Sequence, residues 1–183
     1  MSEQPPAGYG YNAPPPPPAQ PSGPRPGELL DRFVARFLDG IVIGIAYFVI
    51  SFVLTPVFLG GIYDSSAEIF FFNAVLSVVF TAVALGYFTY MESSRGQTVG
   101  KMVMKLRTVG PTGENPTREQ ALRRNIFYAA DLLMVIPFLG PLLAGAVSLV
   151  AVILIAVGIN NDTVNRQAWH DHFAGETRVL KIG

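Results

Sequence analysis

Two aspartates lie inside apolar stretches of this chain, where a carboxylate costs several kcal/mol unless it is paired, protonated or facing water. Asp39 sits in the inner third of a run from about Phe33 to Leu59 whose part from Gly40 onward has no charge. Arg32 and Arg36 precede it by seven and three residues. Both spacings put them on its helix face, so an Arg–Asp pair near the interface is expected. Asp131 repeats the pattern: Arg124 precedes it by seven residues, with Arg123 alongside. The shared spacing suggests two related hairpins. Two readings stay open. The pairs fix helix packing and orientation, or Asp39 and Asp131 line a hydrated path for a cation or proton.

The polar segments offer weaker chemistry. Arg95-Gly96-Gln97-Thr98-Val99-Gly100-Lys101 has the glycines and lysine of a phosphate-binding loop. Its spacing is one residue short, and Met102 stands where Ser or Thr is required, which argues against nucleotide binding. It reads instead as a glycine-rich bend that lays Lys101 and Lys105, with Arg107 nearby, against anionic headgroups or loop partners, each headgroup contact contributing about 1 kcal/mol. Met102 to Val109 is predicted to be a strand, and Thr177 to Ile182 a partner for it. Between them in sequence, His170 and His172 flank Asp171. Adjacent residues rarely converge on one ion and no further ligands stand out, so metal is not expected there. Trp169 is expected at the membrane interface and Asp171 against a loop arginine. No nucleophile–base pair is legible, so neither an enzyme nor a cofactor is predicted.

The elements that must position these residues follow from run length. Half of the residues are apolar, 14% are charged, and there is no cysteine. A helix crossing about 30 Å of hydrocarbon needs roughly 20 apolar residues. Spans are predicted at about 33–59 and 69–90, with a polar turn at Gly60, Gly61, Asp64, Ser65 and Ser66. The apolar region from Ile126 to Ile159 is too long for one crossing, and Pro137, Gly140 and Pro141 mark a turn within it. Thr117 and Gln120 form a candidate capping box. Spans at about 118–136 and 142–159 follow, or else one broken helix.

The fold class is therefore all-α: a small transmembrane bundle of four spans (three, one of them broken, as the alternative) with a minor cytosolic β element. All thirteen Lys and Arg fall into three segments, residues 25–36, 95–124 and 166–181. Basic residues favour the cytoplasm, which places both termini inside a plasma membrane and favours an even number of crossings. Zero net charge gives no field for nucleic acid. Residues 1–28, rich in proline, read as a disordered cytoplasmic tail that could dock a protein partner. Small residues at Gly40, Gly44, Ala46, Ala144 and Gly145 allow close helix packing and suggest a homo-oligomer.

Three segments together resemble the RDD family of membrane proteins. They are Arg32-Phe33-Val34-Ala35 with Asp39, Gly96-Gln97-Thr98-Val99-Gly100-Lys101-Met102, and His170-Asp171-His172-Phe173-Ala174-Gly175-Glu176-Thr177-Arg178-Val179. They span about residues 28–180. Glu176, inserted between Gly175 and Thr177, is a departure that bears on the register of the last strand. The resemblance implies a multi-span bacterial membrane protein named for one arginine and two aspartates. Arg32 and Asp39 carry over, and Asp171 and Asp131 both stand as the second aspartate. It further implies transport, in its sharper version cation–proton exchange. The competing reading is a non-transporting scaffold working through the tail and the basic loop.

Overall fold

The computed structural model describes residues 23–59 and 66–183. The polar turn expected around Gly60 to Ser65 and the tail up to residue 22 lie outside them. Three helices are long and apolar enough to cross a membrane. Helix α1 is Leu29–Leu59, with Pro56 in its last turn, and α2 is Ser66–Arg95. Short polar elements follow α2 at one end of the molecule. These are α3 (Val99–Val103), strand β2 (Leu106–Val109) and α4 (Arg118–Asn125). A 3₁₀ helix, Ile126–Val135, leads through Pro137 to α5, Gly140–Asn161. Helix α6 (Trp169–Phe173) and strand β3 (Arg178–Lys181) return to the polar end, where strand β1 (Arg25–Pro26) opens the described chain.

The region expected as a third continuous span, 118–136, is not one helix. The capping box does start α4: Gln120 N–H donates to Thr117 Oγ1 at 3.2 Å, and Thr117 N–H donates back to Gln120 Oε1 at 2.9 Å. Eight residues later Asn125 turns its side chain onto the carbonyl of Ala121, 2.9 Å away. Such back-bonding competes with the helical ladder, and the chain tightens into the 3₁₀ form. Ten residues at about 2.0 Å rise cover only about 20 Å, whereas the 22 residues of α5 cover about 33 Å. The architecture is thus three long helices with a broken fourth stretch wedged between α2 and α5. The two Arg–Asp spacings consequently sit on different kinds of helix and do not mark equivalent hairpins.

The sheet is antiparallel in the order β1-β3-β2, with Arg107 opposite Leu180 and Pro26 opposite Leu180 on the other side. Strand β2 is shorter than expected, because Val99–Val103 coils into α3 behind its cap, Thr98. The inserted Glu176 is absorbed before the strand: Gly175 and Glu176 both take positive φ, 82° and 62°. Residues 23–28 are not part of a loose tail, since Arg25–Pro26 pair with β3 and Gly27 N–H donates to the Val179 carbonyl at 2.8 Å.

Ala35, Leu106 and Val179 form one small core where α1 crosses the sheet. Ile43, Ala84 and Phe88, with Tyr87 and Tyr128 packed on them, form another between the long helices. Outside these, α1 and α5 expose large apolar side chains along their length, among them Phe48, Phe52, Leu149 and Val150. Bare apolar helices with their backbone bonds closed internally suit a lipid environment.

The tightest approach in the fold is at Gly100, where a Cβ would stand 1.9 Å from the Ala35 carbonyl oxygen. Gly100→Ala should therefore destabilise the folded protein by about 3 kcal/mol, the upper end of the usual overpacking cost. Gly86→Ala, where nothing lies within 4 Å, should leave the melting temperature in detergent unchanged or slightly raised. Equal melting of the two variants would refute the packing argument.

Candidate functional site

The polar ends of α1, α2, α4 and α6 bring a set of charged side chains into the protein interior. Asp171, fully buried, accepts from Arg124 at 2.7 Å and from Arg32 at 3.3 Å. The Ala168 N–H and the Thr177 hydroxyl add donors at 3.1 and 3.3 Å. Glu92, also fully buried, accepts from Lys101 Nζ at 2.5 Å and from Asn125 at 3.2 Å, with Arg124 Nε at 3.7 Å. Lys101 also donates to Thr108 at 2.6 Å. Arg36 donates to Asn125 at 2.9 Å and lies over the Phe88 ring, 4.2 Å from its centroid.

Asp39 stands apart from the arginines. The expected Arg32 or Arg36 pair with Asp39 does not form. Its carboxylate accepts instead from the Tyr87 hydroxyl (2.8 Å), the Thr98 hydroxyl (2.6 Å) and the Gly100 N–H (2.8 Å). Neutral donors arriving from α2 and α3 satisfy the buried charge without desolvating a second one. Thr98 serves twice, donating to Asp39 and accepting from Lys101 N–H at the start of α3. The glycine-rich segment, expected to be a bend facing headgroups, instead donates from Thr98 and Gly100 to the chain's own Asp39 carboxylate.

This geometry corrects the expectations for Lys101 and Arg124 and places the other candidate residues. Lys101 does not reach headgroups, because it is buried on Glu92. Lys105 is exposed and takes a positive φ of 52°, and Arg107 pairs with Asn115 at 2.9 Å. Arg124 does not meet Asp131; it joins Asp171 and Glu92. His170 and His172 diverge: His170 is buried beside Asp171, while His172 is exposed and pairs with Glu176 at 2.9 Å. They offer no shared ion position, and no cluster of three or more ligating side chains occurs among the described residues. The Trp169 indole N–H points to the Ala151 carbonyl on α5 at 3.5 Å. Of the two candidates for the second aspartate, Asp171 touches Arg32.

Asp131 is different again. It is half-buried and makes no hydrogen bond or ion pair among the described residues. It lines a cavity of about 310 Å³ between α1, the 3₁₀ helix and α5, together with Arg32, Arg36, Asp39 and Arg124. It also lines a second cavity of about 530 Å³, between the 3₁₀ helix and the halves of α1 and α2 away from the polar end, with Tyr47, Asn73 and Ser77. Residues not singled out by sequence reasoning include Glu92, Asn125 and Tyr87. Glu92 lies just past the uncharged stretch of α2, and only its distance from solvent, invisible in the sequence, marks it.

The electrostatics at the polar end are set by burial and then by neighbours. Burial lowers Lys101 from 10.5 to about 8, against the pull of Glu92. Burial by itself would raise the Asp171 carboxyl, but Arg124 and Arg32 outweigh it and bring it down to about 2. Burial lowers His170 to about 3, with the three arginines adding to it against Asp171. His170 is therefore neutral at pH 7, and its 3.8 Å approach to Asp171 is not an ion pair.

Three long apolar helices around a buried cluster of charge define an α-helical integral membrane protein. The chain belongs to the RDD family, whose model matches residues 26–175. It is 24% identical over 167 residues to the uncharacterized protein YxaI of Bacillus subtilis (strain 168), covering 85% of this chain and 97% of that one. No solved structure matches it.

Two stability predictions follow from the cluster. Asp171→Asn leaves Arg32 and Arg124 buried without their anion and should cost about 3–5 kcal/mol, read as a fall in detergent melting temperature. Acidification should act through His170 first. Its folded pKa lies below its unfolded value, so the unfolded chain takes up the proton between about 6.5 and 3 and stability falls as pH falls through that window. The slope is up to roughly 1.4 kcal/mol per pH unit. Asp171 adds the same sign of loss only between about 3.8 and 2. His170→Asn should flatten the melting temperature between pH 6.5 and 4. A slope unchanged in that variant would show that another group sets it.

Proposed function

We propose that this protein moves an ion or small solute across a membrane, with Asp131 as the carboxylate that exchanges a proton or cation along the way. The observation carrying this reading is that Asp131 lines both cavities and makes no ion pair or hydrogen bond among the described residues. An intramembrane carboxylate without a structural partner has the chemistry of a relay group. Asp39 lines the first cavity too, but its three donors hold it as a fixed strut joining α1 to α2 and α3. This assigns the exchange step to Asp131 and a positioning role to Asp39.

The distribution of Lys and Arg supports a cytoplasmic polar end, with both termini inside the plasma membrane. The first cavity would then lie toward the cytoplasm and the second toward the outside, with Asp131 between them. Gly40, Gly44 and Gly145 have open space beside them, and three long helices make a thin wall around a path. We extend the proposal to a homo-oligomer packed through these small residues.

The test is flux through the purified full chain in liposomes, screened over sodium, potassium and a proton gradient. Asp131→Asn should reduce flux at least tenfold while leaving the melting temperature within a few degrees of wild type, since Asp131 holds no partner. Wild-type flux from the asparagine variant would end the proposal.

A further inference from the structure

The first cavity has an imbalance between donors and acceptors that the proton or cation step does not use. Arg32 Nη2 is fully buried and has no hydrogen-bond partner among the described residues, on a side chain only 9% exposed. Arg36 Nη1 is also buried without a bond of full geometry among the described residues, and the Tyr128 hydroxyl interacts with its guanidinium. Both residues line the cavity. Every buried carboxylate around them is satisfied, as described above. An unmet buried N–H costs roughly 1–3 kcal/mol, and arginine's planar fork matches an oxyanion with two parallel bonds.

Charge points the same way. The cluster holds Arg32, Arg36, Lys101 and Arg124 against Asp39, Glu92, Asp171 and Asp131. With Asp131 ionised these cancel. With Asp131 protonated they leave a single positive charge, which one monoanion would neutralise. The rest of the wall is apolar: Phe33, Phe127, Val152, Ile155 and Ala156. A volume of about 310 Å³ lies at the low end of the roughly 300–1,000 Å³ of ligand pockets.

We propose that this cavity binds an oxyanion carried on an apolar body, with Arg32 and Arg36 as its donors and the α1–α5 wall as the seat of the apolar part. The class is a carboxylate or phosphate monoanion, and binding it together with a proton on Asp131 keeps the cluster neutral. This names the substrate class for the site proposed above and so rests on that reading. The oxyanion could come from an amphiphile or from a free ion in solution, and the experiment separates these sources.

The experiment is equilibrium binding of radiolabelled octanoate to the purified full chain in nanodiscs, with acetate and inorganic phosphate as competitors. Wild type should bind saturably, and neither competitor should displace octanoate at equal concentration. Arg32→Lys keeps the charge but loses the free Nη2 and should weaken binding at least tenfold. Because Arg32 also holds Asp171, a second variant is needed that leaves the charges alone. Ala156→Phe fills the apolar wall and should weaken binding at least tenfold with the melting temperature preserved. Displacement by phosphate or acetate at equal concentration would support the arginine-bound oxyanion but assign a free ion as its source, and in that case Ala156→Phe should lower the affinity for that ion. Absence of saturable binding of any of the three to folded wild type would overturn the proposal. So would octanoate binding that both variants retain in full. Octanoate binding without any flux would sink the transport reading alone, and proton or cation flux without anion binding would sink this inference alone.

Discussion

The Asp171 carboxylate is the tie on which the polar end of this molecule depends. It reaches from α6 to Arg32 at the start of α1 and to Arg124 at the end of α4, three segments distant in sequence. Burying a carboxylate with two guanidinium groups is costly unless every remaining donor and acceptor is met. The surrounding groups do most of this: Ala168 and Thr177 complete Asp171, and Arg32 Nε donates to the Gly27 carbonyl at 3.0 Å. The chain must therefore return from α5 to the end where it began. The short sheet follows from that return, because β3 can then lie between β1 and β2.

Glu92 extends the same logic one layer further. It gathers Lys101 from α3 and Asn125 from α4, and Asn125 in turn receives Arg36 from α1. The break between α4 and the 3₁₀ helix falls at this asparagine. Its two amide hydrogens are divided between Glu92 and the Ala121 carbonyl. The irregular fourth stretch is thus a consequence of placing a polar junction where a continuous helix would have carried an apolar face. The 3₁₀ helix that results sets Asp131 between two cavities.

The long helices were legible because uninterrupted apolar length is a property of the sequence itself. Residues 33–59, 69–90 and 142–159 could be bounded by counting. The capping box at Thr117 was equally legible, since both of its bonds are local. The pairing of the charges was not. Arg32 and Asp39 share a helix face, yet Asp39 is met by Tyr87, Thr98 and Gly100, all distant in sequence, and Arg32 turns to a residue 139 positions away. Spacing reports which residues can meet along one helix, and here tertiary neighbours outcompete them. Lys101 illustrates the same limit. A lysine in a glycine-rich bend looks solvent-facing until the fold closes Thr108 and Glu92 over it.

The contrast among the carboxylates then becomes informative. Asp39, Glu92 and Asp171 each hold several donors and join separate elements, so changing their charge means dismantling the junction. Asp131 joins no other element among the described residues, so a proton there would alter charge without altering the scaffold. A membrane protein that changes protonation during its cycle needs this separation, because a group that both holds the fold and titrates would loosen the fold each time it fired. The arginines show a similar division within single side chains. Arg32 spends Nε and Nη1 on the protein and leaves Nη2 without a partner among the described residues, while Arg36 spends Nη2 on Asn125 and sets the rest of its guanidinium against Tyr128. Each is fixed in direction by the bonds it makes, which holds its charge at the wall of the first cavity.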